Sequence, residues 1–376
     1  MRKRTLVTIL AALIIVRKSR SDLEGDIWKL IPNLFSNRLR ESYIFTYLFR
    51  SVCNCSAYFF AGISLLFKPN ILQLHLFPPH LVANNIQYCQ NINTTNKYRL
   101  PHQTLDVYAP TSTRTTQKKS SYPTFIFIHG GIWTLFNKTF MRLIGERFAE
   151  RGIICIIPSY SYYPDGIVDD QMEDIQNVIT WTKRNITNYG GDENQIVLGG
   201  QSSGAHVSSL YMLQSICKKE LCGYIGLSGV YDPLQHNIGF EKQRGVDQIS
   251  PLVPANGGMA NIAKYSSCNY VKMIVPNEDI SKLPAILLLH GTKDTTVPVL
   301  SSEIFYKALC TRCDENENNE SKKTGHGDRR KIEMKLIDGI DHAKYLYDIS
   351  TTENGAEGHP MMDAMVEFIH KVSVRK

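Results

Sequence analysis

From about residue 100 onward the chain alternates between two kinds of hydrophobic pattern. Short runs that are apolar at nearly every position are "TFIFIHGG" (124–131), "IICIIPSY" (153–160), "QIVLGG" (195–200), "YIGLSG" (224–229) and "AILLLHG" (285–291). They have the length of strands and lack the polar alternation of a sheet with one wet face. "TLDVYAP" (104–110) and "KIEMKLID" (331–338) read as further strands at the two flanks. Between the strands lie stretches with helical spacing over 140–152, 169–191, 205–219, 301–310 and 361–372, the first two stopping at glycine. Strands apolar on both sides, separated by amphipathic helices, predict an α/β fold with a mostly parallel central sheet covered by helices on both faces. In such sheets chemistry gathers at the carboxyl ends of the strands. The residues just after each strand are therefore the ones to read for function.

Three stretches depart from this rhythm. Residues 232–258 are too long for a simple connection, which predicts a lid or pocket wall. Residues 314–331, "DENENNESKKTGHGDRRK", are charged and poor in apolar side chains, which predicts a solvated, disordered insertion. At the amino terminus "MRKR" leads into the apolar "TLVTILAALIIV" (5–16), in the order of a signal sequence or signal anchor. Twelve helical residues reach only about 18 Å, short of a bilayer core of about 30 Å. A second apolar stretch (43–67) is long enough to span but is interrupted by Arg50 and Asn54. The expected organisation is an apolar helical extension over 1–70, a membrane-anchor candidate, followed by a catalytic domain over 85–376.

Composition narrows the picture slightly. With 43% apolar and 20% charged residues the chain can bury a large core. The net charge of +7 is scattered, and no basic block interleaves with aromatics as a nucleic-acid stripe would. Nine cysteines leave at least one without an intrachain partner. Cys310 and Cys313 form a lone C-x-x-C with no second pair at zinc spacing, so no metal site is expected. Cys155 is expected as a small apolar residue in a buried strand. Five N-x-S/T sequons, at Asn54, Asn93, Asn137, Asn185 and Asn319, agree with a secretory route.

The chemistry lies at the strand ends. "GQSSG" (200–204) matches G-x-S-x-G with a strand before it and a helix after it, the context that gives the motif meaning. Ser202 would sit on a strained turn, with Gly200 and Gly204 allowing close backbone approach. "HGGIW" (129–133) ends another buried strand. The bare N–H groups of Gly130 and Gly131, with that of Ser203, would form an oxyanion hole. His129 reads as a loop anchor and Trp133 as a packing residue. A serine nucleophile needs a base, and the base an orienting carboxylate, in the chain order Ser, Asp or Glu, His. Asp294 follows the strand at 285–291 and His342 follows the strand at 331–338, completing that order. Asp341 is a rival acid; His290 and His359 are rival bases, with His290 expected in the core.

With those residues in view, the chain resembles the α/β-hydrolase superfamily, in its esterase branch that carries HGG and G-x-S-x-G. A closer likeness is to isoprenylcysteine α-carbonyl methylesterases and related carboxylesterases, through "LDVYAP", "HGGIW", "GQSSGAH", "SGVYD" (228–232) and "FEKQRGVDQISPL" (240–252). Ser203 stands where alanine is more usual. The resemblance implies a Ser202–His342–Asp294 triad, no cofactor, a small hydrophobic ester as substrate, and membrane association in the endoplasmic reticulum or Golgi. Kynurenine formamidases look similar around "HGG…W" and "SGVYD", which makes an arylformamidase the alternative. A catalytically silent binding protein on the same fold is the reading from another class, and it usually lacks a triad member.

Overall fold

The computed structural model describes residues 53, 68–89, 103–111, 121–248, 250–273, 280–320, 332–342, 344–351 and 358–373. The expected apolar segments at 5–16 and 43–67 lie outside the described residues, Cys53 apart. Among the described residues eight strands form one sheet in the order β1-β2-β4-β3-β5-β6-β7-β8. They are β1 (Leu81–Gln87), β2 (Thr104–Tyr108), β3 (Tyr122–Ile128), β4 (Ile154–Pro158), β5 (Gly191–Gln201), β6 (Gly223–Leu227), β7 (Ala285–Gly291) and β8 (Ile332–Ile337). From β4 to β8 every pairing is parallel, while β2 runs antiparallel to both β1 and β4. The sheet is therefore mostly parallel, as its apolar runs predict.

Both faces are covered, and the strands divide their side chains between two cores with period two. Ile126 and Ile128 of β3, Leu198 of β5, and Ile286 and Leu288 of β7 enter one core. Phe125 and Phe127, Val197, and Leu287 and Leu289 enter the other. Each such side chain gains about 1.5–3 kcal/mol from full burial. The helices are α1 (Pro69–Leu76), α2 (Arg142–Glu150), α3 (Val168–Asn185), α4 (Ser203–Gln214), α5 (Pro233–His236), α6 (Leu252–Ala255), α7 (Ser267–Met273), α8 (Leu300–Glu320), α9 (Lys344–Thr351) and α10 (Pro360–Ser373). α3, α4 and α8 contribute to the first core, and α2, α9 and α10 to the second. Cys155 is fully buried in β4.

Two expectations change. α8 continues to Glu320, so the first part of the charged 314–331 stretch is helical and only 321–331 lies outside the described residues. Adding a residue to an existing helix fixes far fewer torsions than starting one, so a helix begun on buried residues can propagate through polar sequence. The 232–258 excursion is built from α5, a π-helical turn (Asn237–Glu241) and α6. It is pinned from within by the buried Glu241, which accepts hydrogen bonds from Asn237 Nδ2 (3.2 Å) and Ser250 Oγ (2.6 Å).

Candidate active site

The register of the central strands decides what meets what. Ile128 of β3 pairs with Gly200 of β5, so the turn after β3 and the turn after β5 leave the sheet side by side. Ser202 follows β5 at φ 56°, ψ −121°, a conformation that costs of order 1–3 kcal/mol for a non-glycine residue. The turn is held by Ser202 N–H donating to Leu227 O (2.9 Å) and His206 N–H donating to Ser202 O (3.1 Å). The flanking glycines are obligatory by contact. A Cβ on Gly204 would stand 2.5 Å from His129 O and closer still to Ile128 O; one on Gly200 would stand 2.5 Å from the carbonyl carbon of Gly204.

Asp294 and His342 come to Ser202 because the loops after β7 and β8 are stitched together. Thr292 N–H donates to Ile337 O (3.0 Å), Lys293 N–H donates to Ile340 O (2.9 Å), and the Thr292 hydroxyl donates to Asp338 Oδ1 (2.8 Å). In the resulting array His342 Nδ1 lies 2.7 Å from Asp294 Oδ2 and His342 Nε2 lies 2.9 Å from Ser202 Oγ. A carboxylate oxygen only accepts, so Nδ1 carries the proton and Nε2 is left to accept from the serine hydroxyl. The other oxygen of Asp294 accepts from the N–H groups of Thr296 (2.9 Å) and Val297 (2.8 Å). Burial alone would raise the Asp294 pKa, yet hydrogen bonds from His290 and His342 hold it well below the usual carboxylate range. Asp294 is the group bonded to His342 Nδ1, the place for which Asp341 was the rival. His342 is the imidazole on Ser202, the place for which His290 and His359 were rivals; His359 instead precedes α10, with its carbonyl on Asp363 N–H (2.9 Å).

The turn after β3 supplies bare N–H groups. His129 is fully buried and sits with Nδ1 2.8 Å from Gly130 O and Nε2 3.1 Å from Tyr162 OH. The first bond requires a proton on Nδ1, since a carbonyl cannot donate. Holding the Gly130 carbonyl turns the N–H of Gly131 to the opposite side of the same planar trans peptide. Among the described residues no acceptor takes the N–H of Gly130 or Gly131. Gly131 has φ 131°, and a Cβ there would meet Phe136 Cδ2 at 2.9 Å. Ser203 is the first residue of α4, so its N–H has no intrahelical acceptor. His129 thus anchors its loop, as expected of it.

Trp133 is a buried packing residue with a further task. Its indole N–H donates to His206 Nδ1 (3.1 Å), and His206 Nε2 donates to Tyr265 O (2.7 Å). This ties the turn after β3 to α4 and to the segment beyond the excursion. Burial holds the pKa values of His129 and His206 down to about 4, with backbone hydrogen bonds partly opposing it.

Two neighbours of the site are not evident from sequence. Gln201 places Nε2 3.3 Å from His342 O and 3.4 Å from His342 Nε2. Its place inside G-x-S-x-G was the available signal. His236, from α5, lies near enough to His342 and Asp294 to feel their charges; burial first, then His342, lowers its pKa to about 4. The excursion also reaches the acid loop through Arg244 Nη1, which donates to Thr295 O (2.6 Å).

The BD-FAE family model matches residues 105–309. A probable isoprenylcysteine alpha-carbonyl methylesterase of Oryza sativa subsp. japonica is 35% identical over 221 residues, which cover 56% of this chain and 50% of that protein. A probable carboxylic ester hydrolase, LipM, of Mycobacterium tuberculosis is 27% identical over 198 residues, covering 50% and 44%. The chain spans about half the length of the curated relatives it matches. Among solved structures, a phosphonate-inhibited esterase B from Lactobacillus rhamnosis superposes with a TM-score of 0.55 at 19% identity, covering 84% of this chain and 97% of that one. That likeness establishes the fold.

Proposed function

Because the chain belongs to the BD-FAE family, we propose that it is a serine hydrolase of carboxylic esters, with Ser202 as nucleophile, His342 as base and Asp294 as its orienting acid. The observation that carries this reading is the continuous array from Asp294 Oδ2 through both nitrogens of His342 to Ser202 Oγ, beside the N–H groups of Gly130 and Gly131, which no acceptor takes among the described residues, and that of Ser203 at the start of α4. Ser202 Oγ attacks the ester carbonyl carbon as His342 Nε2 takes its proton. The negative charge forming on the carbonyl oxygen faces the N–H groups of Gly130, Gly131 and Ser203, donors already in place before the reaction. Asp294 holds the imidazolium that forms. Collapse of the tetrahedral intermediate expels the alkoxide, which takes the proton from His342 and leaves an acyl group on Ser202. Water then attacks that acyl-enzyme with His342 again as base, releasing the acid.

For the substrate we propose a hydrophobic ester, of which prenylcysteine methyl esters are the first candidate. Support comes from the relatives named as isoprenylcysteine methylesterases and from the apolar segments at 5–16 and 43–67, which would hold the site near a membrane of the endoplasmic reticulum or Golgi. No helix among the described residues is long and apolar enough to cross a membrane. The test compares kcat/KM for a prenylcysteine methyl ester, a p-nitrophenyl acyl series and N-formylkynurenine. The ester reading expects the esters to lead. An advantage of about tenfold or more for formylkynurenine, about 1.4 kcal/mol in transition-state binding, would replace it with the amidase alternative.

A further inference from the structure

β7 ends in Leu288-Leu289-His290-Gly291, and the period of two puts His290 on the face of Ile286 and Leu288, under α8. Its side chain is fully buried. A buried imidazole needs partners at both nitrogens. Nδ1 lies 2.7 Å from Ser302 Oγ on α8. Nε2 lies 2.9 Å from Val297 O and 3.1 Å from Asp294 Oδ2. Neither of those oxygens can donate, so Nε2 carries a proton and shares it between them, whichever way the Ser302 hydroxyl points.

We propose that His290 is a positioning residue for Asp294, extending the working array to Ser302–His290–Asp294–His342–Ser202; this rests on the hydrolase reading above. Asp294 Oδ1 is held by two N–H groups from its own loop, at Thr296 and Val297. Those bonds leave the carboxylate free to pivot about that oxygen. Oδ2, the oxygen that must meet His342, also meets the His290 imidazole, which is fixed within β7. Val297 closes the arrangement: its N–H donates to Asp294 Oδ1 while its carbonyl accepts from His290 Nε2. The acid is thus referenced to the sheet on one side and presents itself to the loop after β8 on the other. A group that sets the direction of the acid, without touching substrate, should alter turnover more than substrate binding.

The test is a double-mutant cycle in the full chain, read by p-nitrophenyl ester hydrolysis and by the rate of fluorophosphonate labelling, with Ser202→Ala as the unlabelled control. His290→Phe keeps the bulk and removes the donor; it should lower kcat by about 10- to 100-fold, the scale of a misplaced catalytic group, with KM within about twofold. His290→Gln retains an N–H near the Nε2 position and should recover activity to within about fivefold. In an Asp294→Asn background, His290→Phe should cost less than about threefold more, because the two act as one unit. Should His290→Phe fail to fold, His290→Asn replaces it, since the shorter amide cannot reach Asp294, and the Gln–Asn contrast carries the test. An equal cost of removing His290 with and without Asp294, a loss confined to KM, or turnover within threefold of wild type overturns the proposal. Wild type that resists labelling overturns the hydrolase reading and this inference with it; wild type and His290→Phe labelled at equal rates overturn this inference alone.

Discussion

Gly204→Ala tests whether the distance between two turns, rather than any side chain, sets the oxyanion hole. The added Cβ would stand 2.5 Å from His129 O and closer to Ile128 O, both backbone atoms at the end of β3. Ordinary carbon–oxygen contacts lie at about 3.3 Å or more, so the turn after β3 and the start of α4 must part by about 1 Å. Overpacking of this kind costs about 1–3 kcal/mol, which a thermal melt would show as a fall in Tm of a few degrees. The catalytic effect should be larger. Gly130 and Gly131 move with one side of the contact and Ser203 with the other, so the three N–H groups proposed to stabilise the oxyanion would be drawn apart. A misplacement of about 1 Å costs on the order of 10²-fold, and it should fall on kcat because the charge exists only in the transition state. Gly239→Ala is the control: its Cβ would meet Gln235 Nε2 at an ordinary 3.5 Å, and turnover and Tm should hold. If Gly204→Ala keeps kcat within about threefold of wild type while the melt shows the expected strain, the oxyanion assignment is wrong.

Asp294→Asn should lower kcat about 10⁴-fold by presenting His342 with the wrong hydrogen-bond pattern, whereas Asp341→Asn should stay within about tenfold; the reverse ranking in steady-state kinetics would transfer the role of acid to Asp341. Trp133→Phe leaves His206 Nδ1 without its donor and should destabilise the fold by about 1–3 kcal/mol in urea titration; an unchanged midpoint would show that the Trp133–His206–Tyr265 tie holds nothing. Stability should also fall on acidification. The folded pKa values of His129, His206 and His236 are held near 4 against about 6.5 unfolded, so between these limits the unfolded chain binds protons the native one refuses. Asp174, pushed up to about 6 by burial, and Glu241, raised for the same reason, oppose this because the native state takes their protons first. Three histidines should outweigh two carboxylates, and a urea midpoint higher at pH 5 than at pH 7 would contradict that balance.

What could be read from the sequence follows from how local each signal is. β3, β4, β6, β7 and the second half of β5 are apolar at nearly every position because both faces are covered, and that pattern survives without knowledge of neighbours; the polar first half of β5, from Gly191 to Gln195, does not carry it. Ser202, Asp294 and His342 were legible because each lies within a few residues of a strand end. β1 was not: "LVANNIQ" carries two asparagines and is half-exposed at the sheet edge, so its pattern is that of a loop. The antiparallel course of β2 was equally hidden, since direction depends on which strand it meets. The helix read over 169–191 stops earlier, at Asn185; a 3₁₀ turn (Ile186–Tyr189) follows, Gly190 caps that turn at φ 82°, and Gly191 already begins β5. His290 was legible as a core residue, but its contact with Asp294 and that of Gln201 with His342 were not, for a common reason. Their partners are fixed by side-chain direction at strand ends, which composition does not encode, even though Gln201 sits inside the recognised motif and His290 only four residues before Asp294.

If Ser202 is the nucleophile, it is the group that becomes acylated during turnover. Mixing the protein with an excess of a p-nitrophenyl ester under rapid-flow conditions, then quenching and mapping peptides by mass, tests it most directly. A rapid release of p-nitrophenol approaching one equivalent per chain is expected, with an acyl group on the peptide containing Ser202, both abolished by Ser202→Ala. Turnover that persists in Ser202→Ala, or an acyl group found on a different residue, would contradict it.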